Sequence, residues 1–291
     1  MSKVSYSQQF IIGGSAGSLA TCFVHPMDVV KNRMQVSGIG SKVKEHKTSF
    51  HAMRAILKNE GLTAMYSGLT AGLLRQATYT TTRLGVNNIL TDVATSNGVK
   101  PNFMLKLMVG ATAGVVGSFV GNPAELALVR MTTDGRLPPA ERRNYRNAIV
   151  ALVRIVQEEG FLALTKGAVP TMGRAAVVNA VQLGTYGEAK ERFLETGYFQ
   201  EGIKLHFCAS MISGLATTIA SMPLDIAKTR IQNMKVIDGK PQFSGTADVL
   251  KKVVGQEGVF ALWKGFTPYY ARLGPHTVLT FIFMEQLRKL F

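Results

Sequence analysis

Three arginines each interrupt a long apolar stretch, and each stands seven residues after a glycine: Arg75 after Ser67-Gly68, Arg174 after Lys166-Gly167, and Arg272 after Lys264-Gly265. A guanidinium held inside a bilayer is costly, ~3 kcal/mol or more at the centre, so such a group faces a wet cavity or a partner. Arginine presents a planar fork that grips a carboxylate through two parallel hydrogen bonds. Three of them at one depth around a common axis make an anion site with enough donors for two carboxylates. The even-numbered long segments carry no acid at that depth, so the expectation is three cations without counter-charge. Arg75, Tyr79 and Arg83 follow an i, i+4, i+8 spacing and share one helix face, with Arg83 about 12 Å along the axis from Arg75. Gln76, Asn179, Gln182 and His276 stand on the same segments as further candidates. Each of these has a plainer use: Arg83 can reach the lipid interface, His276 after Pro275 can be a packed histidine, and Asn179 and Gln182 can join helices by hydrogen bonds.

The segments that must position these arginines repeat. No Asp, Glu, Lys or Arg occurs from Val4 to Val24, from Leu107 to Ala124, or from Leu205 to Leu224. Each run is long enough to cross a hydrocarbon core of ~30 Å. The octet Pro26-Met27-Asp28-Val29-Val30-Lys31-Asn32-Arg33 recurs from Pro123 to Arg130 and from Pro223 to Arg230. Glu60-Gly61, Glu159-Gly160 and Glu257-Gly258 recur in the same register, as do Gly17, Gly114 and Gly214 upstream. Agreement of several anchors in one register predicts three copies of a unit, 1–97, 98–197 and 198–291, each read as helix, charged link, helix. The predicted fold is all-α, with six transmembrane helices. Phe50 to Lys58 and Asn147 to Gln157 have helical spacing with one polar face, as expected of short helices on a membrane surface. Small residues four apart (Gly13 and Gly17, Gly110 and Gly114, Ser210 and Gly214) let helix backbones approach closely.

The net charge of +15 over 291 residues points to an anionic membrane surface or anionic ligands. No zinc-finger spacing, basic heptad helix or aromatic ribonucleoprotein box supports nucleic-acid binding. No nucleophile–base set, metal spacing or phosphate loop argues for an enzyme or a metal site. Gly38-Ile39-Gly40 reads as a flexible link only. Cys22 and Cys208 lie in apolar runs and read as packing residues. The links inside the repeats (31–66, 128–166, 228–264) hold seven Lys or Arg each, against two and three in the links between repeats (92–106, 188–204). That bias predicts that the intra-repeat links face the inner compartment and the termini face the other.

Three Pro-x-acid-x-x-basic-x-basic motifs at ~100-residue spacing resemble the mitochondrial carrier family over essentially the whole chain. Leu74 to Arg83, His206 to Leu215, Ile231 to Pro241 and Phe266 to Phe283 are similar to members that exchange small dicarboxylates. The resemblance implies antiport of 2-oxoglutarate against malate across the mitochondrial inner membrane by alternating access, with the intra-repeat links in the matrix and the termini towards the intermembrane space. It implies substrate contacts at Arg75, Arg174 and Arg272. It implies helix kinks at Pro26, Pro123 and Pro223, and a matrix gate of Asp28, Lys31, Glu125, Asp225 and Lys228 in which Glu125 pairs with Lys228 and Asp225 with Lys31. Gln35 and Gln232 match the family's bracing glutamines. It implies no cofactor, cardiolipin as a structural lipid, and no obligatory protein partner. Alternatives are a carrier of another anion, of malate/phosphate or proton-leak type, or a membrane scaffold without transport. Two departures from the family pattern matter. Leu128 stands where a base is expected, which leaves Asp28 without its usual partner and the gate with two ion pairs, and Thr132 stands at the third glutamine position. At the opposite end Asn88, Thr91 and Gly187 occupy places for charged residues, leaving Lys190, Glu285 and Arg288.

Overall fold

The computed structural model describes residues 6–37, 48–96, 103–198, 200–234, 236–237 and 240–290. Gly38-Ile39-Gly40 lies outside them, as does the side chain of Arg288. Six long helices dominate: α1 (Tyr6–Val36), α3 (Leu69–Ser96), α4 (Phe103–Thr133), α6 (Ala168–Glu195), α7 (Ile203–Asn233) and α9 (Phe266–Leu290). The odd-positioned helices of the repeats, α1, α4 and α7, are 31 residues long each, about 46 Å at 1.5 Å per residue. Three shorter helices, α2 (Ser49–Glu60), α5 (Ala148–Glu159) and α8 (Thr246–Glu257), sit in the charged links and define one face of the molecule, called here the link face. A two-residue antiparallel pair, β1 (Val236–Ile237) with β2 (Lys240–Pro241), completes the elements.

The link helices form where polar and apolar positions alternate at helical spacing. Thr48 and Asn147 cap α2 and α5, their side chains accepting from the amides of His51 and Val150 at 3.2 and 2.9 Å. Gly61, Gly160 and Gly258 end the three helices at φ of +82°, +82° and +86°, a region open to glycine and closed to most residues. A 3-10 turn follows each, and Gly68, Gly167 and Gly265, again at positive φ, redirect the chain into the next long helix.

The long helices close into a ring. Each repeat's two helices pack together, and α3 packs on α4, α6 on α7, and α9 back on α1. Burial is inverted relative to a soluble protein. Phe23, Ile89, Phe119, Val169, Phe207 and Ile282, one from each long helix, are exposed, while Arg130, Asp225 and Lys228 are 1%, 1% and 5% exposed. Apolar outside and charged inside is the arrangement that lipid selects. Among the described residues only Met104–Arg136 and Lys204–Asn233 reach span-like mean hydropathy, 1.5 and 1.4. The averages of α3, α6 and α9 are lowered by the polar face each turns inwards.

Pro26, Pro123 and Pro223 stand inside continuous helices rather than at breaks. Each removes one backbone donor close to the motif acid two residues later.

Candidate functional site

The residue after each central arginine fixes where the arginine points. Gln76 lies against Gly17, Ala175 against Gly114 and Leu273 against Gly214; a Cβ at Gly114 would meet the Ala175 Cβ at 3.9 Å, and one at Gly214 the Leu273 side chain at 3.3 Å. Each contact locks an even helix onto the odd helix of its own repeat. A step of one residue turns ~100° around a helix, so with 76, 175 and 273 committed to that seam, Arg75, Arg174 and Arg272 face the axis. All three line one polar cavity of about 100 Å³ at the link end.

The expectation that these arginines stand without counter-charge is corrected for two of them. Arg272 forms an ion pair with Asp28, and Arg174 one with Asp225. Arginine's long arm spans more than a helical turn, so a motif acid closer to the link face is still within reach. Arg174 Nη2 also donates to Tyr269 Oη at 2.7 Å. Arg75 forms no ion pair among the described residues, and its Nε is buried with no hydrogen-bond partner.

The two anticipated gate pairs are present between repeats. Lys228 pairs with Glu125, and Lys31 Nζ lies 2.9 Å from Asp225 Oδ2. Lys31 also sits 4.2 Å above the Tyr269 ring, a cation–π contact. Asp225 thus gathers Lys31 and Arg174, and Tyr269 holds both of those cations. Asp28 takes Arg272 in place of the base that Leu128 cannot supply. Leu128 packs instead with Ala71, Ala127 and Met131, its Cδ1 3.4 Å from where a Cβ of Gly68 would stand.

The glutamines do not brace these ion pairs. Gln35 Oε1 accepts from Thr229 Oγ1 at 2.8 Å, and its Nε2 is unpartnered. Gln232 Nε2 donates to Asn122 Oδ1 at 3.3 Å. At the position equivalent to Gln35, Thr132 Oγ1 accepts from Asn32 Nδ2 at 3.1 Å. Asn32–Thr132 and Thr229–Gln35 are the same contact in two repeats. Val129 occupies the third donor place and cannot hydrogen-bond, so Gln232 Oε1 is left unpartnered.

Below the cavity lies a second ring that sequence reasoning missed. Arg33, Arg130 and Arg230 fork onto Glu60, Glu159 and Glu257 of their own repeats. Their Nε atoms donate across the repeat boundary to the carbonyls of Thr132, Gln232 and Gln35 at 2.9, 3.1 and 3.3 Å. Each arginine satisfies a carbonyl near a helix C-terminus, where no intrahelical partner exists. The signal was in the sequence, since both members recur in every repeat. Burial alone would raise the pKa of Glu159, but hydrogen bonds from Arg130 and Lys166 hold it down at about 2. The same balance, with Arg230 and Lys264 as donors, lowers that of Glu257.

The remaining candidates divide. Gln76 and Asn179 are committed to the helix seams at Gly17 and Gly114; Asn179 donates to the Ala175 carbonyl at 2.7 Å. Tyr79 and Arg83 pack their Cβ atoms over Gly121 and Gly117, with the Arg83 guanidinium 6.0 Å from the Tyr79 ring. Arg83 and Gln182 are exposed, and His276 is half-buried with Nε2 unpartnered. Lys190 pairs with Glu201 in the α6–α7 connection at 2.8 Å.

Three tandem helix–link–helix units around a polar axial cavity define a membrane carrier. The chain belongs to the mitochondrial carrier family: the profile described as "Mitochondrial carrier protein" matches residues 2–98, 99–197 and 200–291. It is 62% identical to the human "Mitochondrial 2-oxoglutarate/malate carrier protein" over 98% of this chain and 91% of that one. It is 61% identical to the Caenorhabditis elegans protein of the same name, over 96% and 91%. Arabidopsis thaliana "Mitochondrial uncoupling protein 5" is 37% identical over 97% of each chain.

Proposed function

We infer that this chain is an antiporter exchanging 2-oxoglutarate for malate, or similar dicarboxylates, across the mitochondrial inner membrane. It works by alternating access around the arginine-lined cavity. The observation that carries the reading is the cavity itself: Arg75, Arg174 and Arg272 converge on it from three repeats, and Arg75 forms no ion pair among the described residues. A dicarboxylate arriving from the open end meets Arg75 first, then competes with Asp28 and Asp225 for Arg272 and Arg174. Taking those arginines loosens the contacts that close the link end, so binding and gate opening are one event. The chain is a carrier and not an enzyme.

The Lys and Arg bias of the links favours their facing the matrix, with the termini towards the intermembrane space. On that orientation the conformation described is closed on the matrix side. Clefts of about 340 and 420 Å³ between repeats on the link face carry Arg142, Arg146 and Lys264 beside the starts of α3 and α9. They suit an anionic lipid headgroup such as cardiolipin. Substrate contacts are assigned to Arg75, Arg174 and Arg272, with Tyr79, Arg83, Gln182 and His276 along the approach.

The likeness to an uncoupling protein favours a second reading, proton leak, at lower identity. Competition in proteoliposomes separates the two. Labelled 2-oxoglutarate uptake is expected to be blocked by external malate and left intact by phosphate and adenine nucleotides. Proton conductance without dicarboxylate exchange would replace the antiport reading by the second.

A further inference from the structure

The walls of the cavity carry unequal charge. Lys31, Arg75, Arg174, Lys228 and Arg272 line it against Asp28, Glu125 and Asp225, an excess of two positive charges. Arg83 stands two turns away and does not line it. By the repeat pattern, the acid of one repeat meets the base of the next: Glu125 with Lys228, and Asp225 with Lys31. The third such place, opposite Asp28, is Leu128. A base there would raise the excess to three.

An uncompensated charge in a partly buried cavity is costly, and like charges at ~4 Å repel by several kcal/mol at the effective dielectric of a protein. The anion that closes this cavity at least cost is therefore the one whose charge equals the excess. We propose that Leu128 sets the charge preference of the carrier: by withholding a base from Asp28 it fixes the cavity excess at two, so that dianions are accepted and trianions are rejected. The proposal rests on the dicarboxylate-exchange reading and adds to it the residue that determines substrate charge. Leu128 itself lines the cavity, but as an uncharged side chain it acts on substrate charge through the balance at Asp28. Asp28 makes its direct ion pair with Arg272, and Arg272 is shared between gate and substrate.

The test is exchange of labelled malate and labelled citrate, at a pH where citrate is a trianion, in proteoliposomes holding wild type, Leu128→Lys, Asp28→Asn or Leu128→Met. Leu128→Lys adds a positive charge where the pseudo-symmetry gives it a carboxylate at lysine reach, as Lys31 has in Asp225. Asp28→Asn reaches the same excess by removing a negative charge without added bulk, and decides the matter if the lysine variant does not fold. Both are expected to raise the citrate-to-malate rate ratio by about tenfold or more, while Leu128→Met leaves it unchanged. An unchanged ratio in a folded Leu128→Lys or Asp28→Asn carrier overturns the proposal. An equal shift in Leu128→Met also overturns it, since packing and not charge would then be responsible. Wild type that exchanges no dicarboxylate refutes the function reading and the proposal together, which the wild-type arm shows on its own.

Discussion

Asp28 of α1 is neutralised by Arg272 of α9, a residue from the far end of the chain, and not by the position opposite it on α4. On the proposed reading one guanidinium serves both the closure of the link end and the reception of an anion. The sharing suggests how a carrier refuses to cycle empty. Parting Arg272 from Asp28 is unfavourable unless an anion takes up the guanidinium in exchange.

Arg75 and Arg272 should fail differently. Arg75→Ala removes a cation that forms no ion pair among the described residues, so exchange is expected to fall at least about a hundredfold with a smaller loss of melting temperature in detergent than Arg272→Ala shows. Arg272→Ala strands a buried carboxylate, which costs about 3 kcal/mol or more, so exchange and thermostability should fall together. Equal loss of stability in both variants would refute the asymmetry.

The Glu125–Lys228 pair joins α4 to α7 at the gate. Glu125→Gln leaves Lys228 buried beside a neutral amide and is expected to destabilise the closed state by about 3 kcal/mol. The exchanged pair, Glu125→Lys with Lys228→Glu, should recover part of that loss. Single effects that add without coupling, within about 0.5 kcal/mol, would show that the contact carries no gate energy.

The outer ring predicts an acid limb. Glu159 is held at about 2 by Arg130 and Lys166, below its usual 4.5. A depressed carboxylate stabilises the fold above the unfolded value and loses that contribution as pH falls from 4.5 towards 2. Melting temperatures of wild type and Glu159→Gln should therefore differ at pH 7, draw together below about pH 4.5 and converge only towards pH 2. A gap that persists undiminished at pH 3 would exclude Glu159 as its source.

Gly265 combines φ of +86° with a close approach to α1, where a Cβ would meet the Lys31 carbonyl at 3.3 Å. Gly265→Ala is expected to cost about 1–2 kcal/mol through backbone strain alone, read as a lower melting temperature. No change would mean that the turn relaxes freely.

Much of this was legible in the sequence because the chain states its plan three times. The recurring prolines, acids and glycines marked the six long helices and the link helices, and the family resemblance implied both lysine pairs. What escaped was reach and facing. Register places Cα atoms at a depth, but Arg272 and Arg174 extend beyond theirs to Asp28 and Asp225. Nothing in its sequence context distinguishes Tyr269, an aromatic in an apolar helix, as the residue on which Lys31 and Arg174 converge. Gln76 stands next to Arg75 in sequence, yet one step of rotation commits it to Gly17 and away from the cavity. The Arg33–Glu60 pairing and its two counterparts needed no structure, only the pairing of two recurrences that were each already visible.

The central claim is that an anion must occupy the arginine-lined cavity before the gate opens. It is tested most directly by uptake of labelled 2-oxoglutarate into proteoliposomes loaded with malate or left empty of dicarboxylate, for wild type and Arg75→Ala. The account predicts uptake by wild type into malate-loaded vesicles alone and none by Arg75→Ala in either. Uptake into empty vesicles at a comparable rate, or full activity without Arg75, would contradict it.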